Sequence, residues 1–372
     1  MQYNEQEKLW IWLASVAGMN ARKFDALLSA FDTPACVWEE GTEETLSPVV
    51  GRATASMIAA SRNTFYLEAF LQRLESLDIR ALARVSDTYP EMLRHIDDAP
   101  PVLYTRGRSD VSFAKSAAVV GSRNASRYGR EMAVRIAGGL GANGVTVVSG
   151  LARGIDTCAQ VACMEAGGVT VGVLGCGLDV VYPPENREVF QRVMQVGMLV
   201  SEYPPGTKPL GAHFPARNRI ISGLAHAVVL IEAQEKSGTM ITVRHAQTQG
   251  REVFAVPANI TAPSSYWPNR LIQEGAAVVL DAQDILSEMR WNTGSHALAQ
   301  GGRASLEELV LSPQEALVVA ALTHGEATFD ELCQMTALPA QILNVHLTSL
   351  ELREIIEQFP GKIIALHRKY GP

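Results

Sequence analysis

The chain has 372 residues, room for two or three domains at about 150 residues each, so it can bury a core without metals or disulfides. With 19% charged and 47% hydrophobic residues, 30 Gly and 18 Pro, its composition excludes disordered, collagen-like and coiled-coil chains. Thirty-two Lys and Arg against 39 Asp and Glu leave a net charge of -7, which excludes nucleic-acid binding through bulk charge and requires any such binding to use a local patch.

The first sixty or so residues are helical in pattern. Leu9, Trp12, Leu13 and Val16 recur at helical spacing up to Gly18, and Asn20 is placed to cap a second helix, Ala21 to Phe31, with Phe24, Leu27, Leu28 and Phe31 on one face. The outline is a helix-hairpin-helix, but its turn lacks a basic residue, which favours packing or partner contact over DNA contact. Arg62 to Leu77 predicts another helix, and Tyr89 to Gly107, with its prolines, an extended lead-in. From Ser116 apolar runs of strand length alternate with helical stretches: Ala117 to Val120, Val145 to Val148, Val169 to Leu174, Met198 to Val200, Ala227 to Ile231, Val253 to Val256 and Ala277 to Leu280. Separated by helices such as Arg127 to Asn143, Asp156 to Ala166, Glu185 to Val196 and Thr239 to Gln249, they predict an open, doubly wound, mostly parallel sheet. Trp291 to Ser305 is a linker by composition, and three helical stretches and a hairpin after it predict a winged helix. The expected division is a helical module over 1–80, the α/β domain over 81–288, the linker over 289–305 and the winged helix over 306–372.

Five cysteines without a C-x-x-C pair fit neither a disulfide framework nor a zinc ribbon and point to a reducing compartment. Apolar runs such as Val169 to Leu178 are too short to span a bilayer, so the expectation is a cytoplasmic chain without membrane span or export signal.

Four loops at strand ends carry the residues suited to an anion. The first, Gly121-Ser122-Arg123, offers a glycine for close approach, a helix N-terminus and a guanidinium; the second, Ser149 to Asp156, repeats this with Gly150 and Arg153. Loops at the carboxyl edge of adjacent parallel strands converge on one crevice. Asp156 reads as a helix N-cap rather than a catalytic acid. Gly175-Cys176-Gly177 begins like a dinucleotide fingerprint, but Val180 stands at the third glycine. Lys208 to Arg219 reads as a basic loop holding Lys208, Phe214, Arg217, Asn218 and Arg219, the mixture that backbone neutralisation and base stacking require. Ser237, Gly238 and Thr239, after Lys236 and ahead of a helix, offer a further phosphate cradle without the Walker spacing. No serine elbow, zinc-protease motif or other catalytic set is visible, and no cofactor or metal is expected.

Gly121-Ser122-Arg123, Ser149 to Asp156, Ser201 to Gly206, Phe214 to Leu224 and Ser237 to Thr242 resemble, in order and spacing, the DprA/Smf family of DNA-processing proteins. The resemblance covers roughly 85–285 and departs from the family pattern at Gln160, Ala258 and Trp267-Pro268. It implies an extended Rossmann-like domain that binds single-stranded DNA and dimerises, a winged helix, and partnership with the RecA recombinase in natural transformation. The expected mechanism has no catalytic turnover: Arg123, Lys208, Arg217 and Arg219 neutralise phosphates along one rim, Gly121, Gly150 and Gly238 admit the strand, and Phe214 stacks a base. The alternative is a nucleotide-cleaving enzyme of the LOG-like phosphoribohydrolase type, for which Glu202 and Glu232 are the available acids.

Overall fold

The structure is a computed structural model that describes residues 3–291, 311–323, 325–353, 355–359 and 363–366. The chain forms two compact units, the first ending at Asn292. The first begins with α1 (Glu5–Ser15), α2 (Ala21–Phe31), α3 (Pro34–Glu40), α4 (Glu43–Val50), α5 (Arg52–Ser61) and α6 (Thr64–Ser76). Asn20 caps α2 by accepting the Lys23 amide at 3.0 Å, as the sequence predicts, while the Lys23 ammonium donates to the Gly18 carbonyl at 2.9 Å and closes the turn from within. The apolar stripes bury Trp12, Phe24 and Leu27 completely.

There follow β1 (Arg80–Ala83), α7 (Glu91–Arg94), β2 (Val102–Gly107), β3 (Ser116–Val120), α8 (Arg127–Ala142), β4 (Thr146–Ser149), α9 (Ile155–Glu165), β5 (Thr170–Leu174), α10 (Arg187–Val196), β6 (Met198–Ser201), α11 (His213–Gly223), β7 (Ala227–Leu230), α12 (Thr239–Thr248), β8 (Glu252–Ala255), α13 (Tyr266–Gln273), β9 (Ala277–Val278) and α14 (Ala282–Glu288). The nine strands form one sheet in the order β1-β2-β6-β5-β4-β3-β7-β8-β9. It is parallel from β6 to β9 and antiparallel where β2 joins β6 and β1 joins β2. The expected lead-in over 89–107 thus contains an ordered strand, formed because β6 leaves a ladder edge for β2 to fill.

Alternation along β3 shows the layers. Ala117 and Val119 face a core with Ile136 and Leu140 of α8 and Ile155 and Ala159 of α9, while Ala118 and Val120 face a core with Ile220 and Ile221 of α11 and Val243 of α12. A third core joins the N-terminal helices to Leu151, Leu174 and Phe190. The architecture is a doubly wound, Rossmann-like α/β sheet with helices on both faces.

The second unit contains α15 (Pro313–Leu322), β10 (Ala327–Thr328), α16 (Phe329–Thr336), α17 (Ala340–Leu352), β11 (Ile356–Phe359) and β12 (Ile363–Leu366), with strand order β10-β12-β11. This is a winged helix around Val318, Leu332, Leu343, Leu347 and Ile364. Its α17 carries no Lys or Arg and exposes Ile342 and Val345. The expected linker from residue 292 onward, and Glu354, Pro360, Gly361, Lys362, Arg368 and Lys369, lie outside the described residues.

Glu315 fastens this unit: it closes a capping box with Ser312 on α15, accepts the Ser349 hydroxyl at 2.8 Å and meets Arg353 at 3.3 Å. The Ser312 amide and these partners hold its carboxyl down at about 2. Because the folded value lies below the unfolded one, its stabilisation is present above about pH 4.5 and lost as pH falls toward 2. Glu315→Gln is expected to lower the urea midpoint of the second unit at pH 7 and to abolish this pH dependence, read by circular dichroism of the full chain. Equal midpoints for the two proteins at pH 7 would refute the assignment.

Candidate nucleic-acid interface

The sheet order reverses around β3, whose neighbours β4 and β7 connect to helices on opposite faces, so a crevice opens outside the carboxyl ends of β3 and β7. A cavity of about 450 Å³ occupies it. Its lining includes Gly121 to Asn124 after β3, Ala152 and Asp156 after β4, Phe214, Arg217 and Asn218 on α11, and Lys236 to Thr239 before and on α12.

The β3 loop is sewn to both neighbours. Ser122 donates its amide to the Glu232 carbonyl at 3.0 Å, the Ile155 amide donates to the Ser122 carbonyl at 3.1 Å, and the Thr239 hydroxyl donates to the Gly121 carbonyl at 3.0 Å. The Ser122 hydroxyl accepts the Asn124 amide at 3.1 Å, a local turn that directs the intervening Arg123 outward. The Arg123 guanidinium carbon lies 5.7 Å from the centre of the Phe214 ring, which also meets Tyr182 at 5.2 Å. Arg123 is exposed and has no carboxylate partner among the described residues.

Several expectations are corrected here. The N-terminus of α8 is not open to a phosphate: Glu232, 2% exposed, accepts the Ser126 amide at 2.8 Å and the Ser126 hydroxyl at 2.6 Å, so an internal carboxylate holds the anion's place. Ser149 is fully buried and donates to the Val119 carbonyl at 2.7 Å, which removes it from the rim. Gly121 and Gly150 are required by internal packing. A Cβ on Gly121 would meet the Ile155 side chain at 2.6 Å, and one on Gly150 would lie 2.6 Å from the Arg217 guanidinium and 2.8 Å from an Asp156 carboxylate oxygen. Asp156 is not the N-cap of α9, a position held by Gly154; it lies one residue inside the helix and turns back to accept the Gly150 amide at 3.1 Å. Burial raises its pKa, against the opposing pull of Arg217 and of the loop amides. Arg153 is exposed but hydrogen-bonded to Glu185.

The expected basic loop is a helix from His213 onward, and this decides the fate of its cations. Positions 217 and 219 are about 200° apart around the helix axis and cannot share a rim. Arg217, 4% exposed, forms the cavity floor: it donates to the carbonyls of Gly150 and Val173, and burial pulls its pKa down. Arg219 leaves the cavity altogether, with its two terminal guanidinium nitrogens each 2.7 Å from a Glu202 carboxylate oxygen and Nε 2.9 Å from the Asp98 carbonyl. Lys208 is exposed but lines neither this cavity nor the adjoining cleft. His213 stacks on Tyr203 at 4.1 Å, and Cys176, its thiol pushed up to about 11 by burial, is no nucleophile.

What the crevice presents is Arg123, Lys236, Asn218 and the turn ahead of α12, where the Ser237 hydroxyl accepts the Thr239 amide at 3.2 Å. The Ser237 and Gly238 amides have no intramolecular acceptor among the described residues. Lys236 and Asn124 are site residues beyond those singled out from sequence; each adjoins one that was, and proximity in the chain is the signal for both. At Gly238, φ is -66° and an added Cβ would meet nothing within 4 Å. Gly238→Leu is therefore expected to leave the stability within about 0.5 kcal/mol of wild type while weakening binding of anything that approaches the Ser237 and Gly238 amides. Gly150→Ala is expected to lose about 1–3 kcal/mol of stability through overpacking. Urea titrations and oligonucleotide binding on both variants check the pair, and unchanged binding by Gly238→Leu would remove α12 from the interface.

A sequence model of the family described as DNA recombination-mediator protein A matches residues 80–290, and one of the DprA winged helix domain matches 303–362. Protein Smf of Synechocystis is 30% identical over 391 residues, covering 96% of this chain and 98% of the relative. Protein Smf of Escherichia coli is 36% identical over 309 residues, 81% of each chain. Among solved structures, DprA of Streptococcus pneumoniae superposes with a TM-score of 0.66 at 34% identity, covering 77% of this chain and 99% of that one. DNA processing protein A of Helicobacter pylori, whose single-stranded DNA binding mode has been described structurally, gives 0.51 at 28% identity, covering 57% and 96%. On the span of these matches and the sheet that carries the crevice, the chain belongs to the DprA/Smf family of DNA-processing proteins.

Proposed function

We propose that this protein binds single-stranded DNA, without catalytic turnover, in the crevice at the carboxyl edge of β3 and β7, and acts in DNA processing during transformation and recombination. The observation that carries the reading is the pairing of two unneutralised cations, Arg123 and Lys236, with the free Ser237 and Gly238 amides ahead of α12 around one concave space, in a chain whose overall charge is negative. Such a site holds a phosphodiester. The planar guanidinium of Arg123, backed by Phe214, offers a sequence-tolerant surface for a base. The binding mode described for the Helicobacter relative supports the same substrate class. In this reading the residues 81–288 carry the DNA site, the protein acts as a homodimer in the cytoplasm, and the RecA recombinase is its partner. The apolar, cation-free face of α17 favours protein contact for the winged helix.

A nucleotide-cleaving reaction has less support, because Glu202 is committed to Arg219 and Glu232 to Ser126. Fluorescence anisotropy with single- and double-stranded oligonucleotides of several lengths, across a salt series, tests the proposal. Affinity for single strands should rise with length and fall with salt with a log–log slope of about -1.4 for the two cations. Preference for duplex, or release of free base from a nucleoside monophosphate, would overturn it.

A further inference from the structure

Beside the main cavity lies a narrow cleft of about 20 Å³ that shares Arg123, Ala152, Phe214 and Arg217 with it and is lined in addition by Arg153 and Tyr182. Lys236 lines the main cavity, Arg153 the cleft and Arg123 both, so Arg153 is the cation that a strand leaving the main cavity through the cleft would meet. Arg153 is not free. Its guanidinium Nε is hydrogen-bonded to a carboxylate oxygen of Glu185, and the bond holds that carboxyl below the usual carboxylate range. Both side chains are about half exposed, at 54% and 50%, so water reaches the pair and a phosphate would too.

The carboxylate is held there by its neighbour. Asn186 is buried and donates to the Leu151 carbonyl at 2.9 Å and to the Thr157 hydroxyl at 2.8 Å, fastening the 184–186 turn onto the same loop that carries Arg153. This anchoring fixes the backbone that carries Glu185 beside the loop that carries Arg153, which lowers the ordering entropy the two side chains lose on pairing.

We infer that Glu185 is an affinity-setting residue: it occupies the guanidinium edge of Arg153 that a DNA phosphate would otherwise take, and so shortens the run of cations available to a bound strand by one. The inference rests on the reading of the crevice as a single-stranded DNA site. A carboxylate of this kind keeps the complex reversible, because the chain retains a cation whose full contribution is withheld.

The test uses the full chain, single-stranded oligonucleotides long enough to cross both cavities, and three variants: Glu185→Gln, Arg153→Ala and the double variant. Glu185→Gln keeps the size of the side chain and the Asn186 anchor. It is expected to bind about fivefold more tightly at 0.1 M salt, with the log–log salt slope steeper by about 0.7, the increment of one further phosphate neutralised. Arg153→Ala alone should bind within about twofold of wild type, since the cation it removes is already masked, and the double variant should lose the whole gain. Unchanged or weaker binding by Glu185→Gln overturns the inference. So does tighter binding that persists in the double variant, which would make Glu185 a distant repulsive charge instead of an occupant. If the wild-type protein itself shows no salt-dependent affinity for single strands, the failure lies with the site and not with Glu185.

Discussion

Arg219→Ala is expected to destabilise the first unit by about 3–5 kcal/mol while leaving the salt slope of DNA binding at its wild-type value. The side chains of Arg219 and Glu202 are only 9% and 11% exposed, and they meet through two parallel hydrogen bonds of 2.7 Å. Truncating the arginine strands a buried carboxylate and frees the carbonyls of Asp98 and Ala216, to which the same guanidinium donates at 2.9 and 2.8 Å. Arg219→Lys retains the charge but not the planar fork and should recover only part of the loss. Replacing both members by apolar residues of similar volume should restore more stability than Arg219→Ala retains, because the stranded charge is then gone. Urea unfolding gives the ranking. A loss below about 1 kcal/mol would mean that the pair is solvated and that Arg219 belongs with the surface cations.

Arg123→Ala should do the opposite, leaving the urea midpoint unchanged and weakening single-strand binding about tenfold at 0.1 M salt. The loss of one phosphate contact accounts for about fivefold and a slope shallower by about 0.7, and the rest comes from the stacking surface that the guanidinium forms over Phe214. Arg123→Lys should restore the slope but not the full affinity, since an ammonium neutralises a phosphate without offering a plane to a base. Anisotropy titrations at three salt concentrations separate the two contributions. Wild-type affinity in Arg123→Ala would remove the exposed end of the β3 loop from the interface, and with it the main support for the site.

The contrast between these two arginines shows where sequence reasoning held and where it stopped. The β3, β4 and β7 loops were legible because a parallel strand buried on both faces reads as a short apolar run, and whatever follows it must lie at the carboxyl edge. The same reasoning placed Gly121, Arg123, Gly150 and Gly238 near one crevice. It could not tell which glycines serve the fold. The space a Cβ would occupy is filled by Ile155 at Gly121 and by Arg217 at Gly150 and is empty at Gly238, and side chains from distant segments decide each case.

The helix α11 was the larger omission. Its proline and cations resemble a polar loop, and its apolar face is short, Ile220 and Ile221 with Leu224 at the cap, so periodicity over a dozen residues gives little sign of it. Once the segment is helical, packing against the sheet turns Arg217 inward and Arg219 toward Glu202, and two of the expected rim cations become parts of the framework. The N-terminus of α8 illustrates the same limit: the sequence places a helix start at Arg127, but only the return of the chain at the end of β7 brings Glu232 onto it.

From its amino-acid order alone the chain determines the doubly wound sheet, the winged helix that follows it and the family to which both belong, because burial periodicity and glycine-bearing turns are local properties. Tertiary structure alone decides which charged side chains remain available to a ligand. Whether a guanidinium meets solvent, a carbonyl or a carboxylate depends on segments remote in the chain, and for those that are buried desolvation makes the loss of a partner costly.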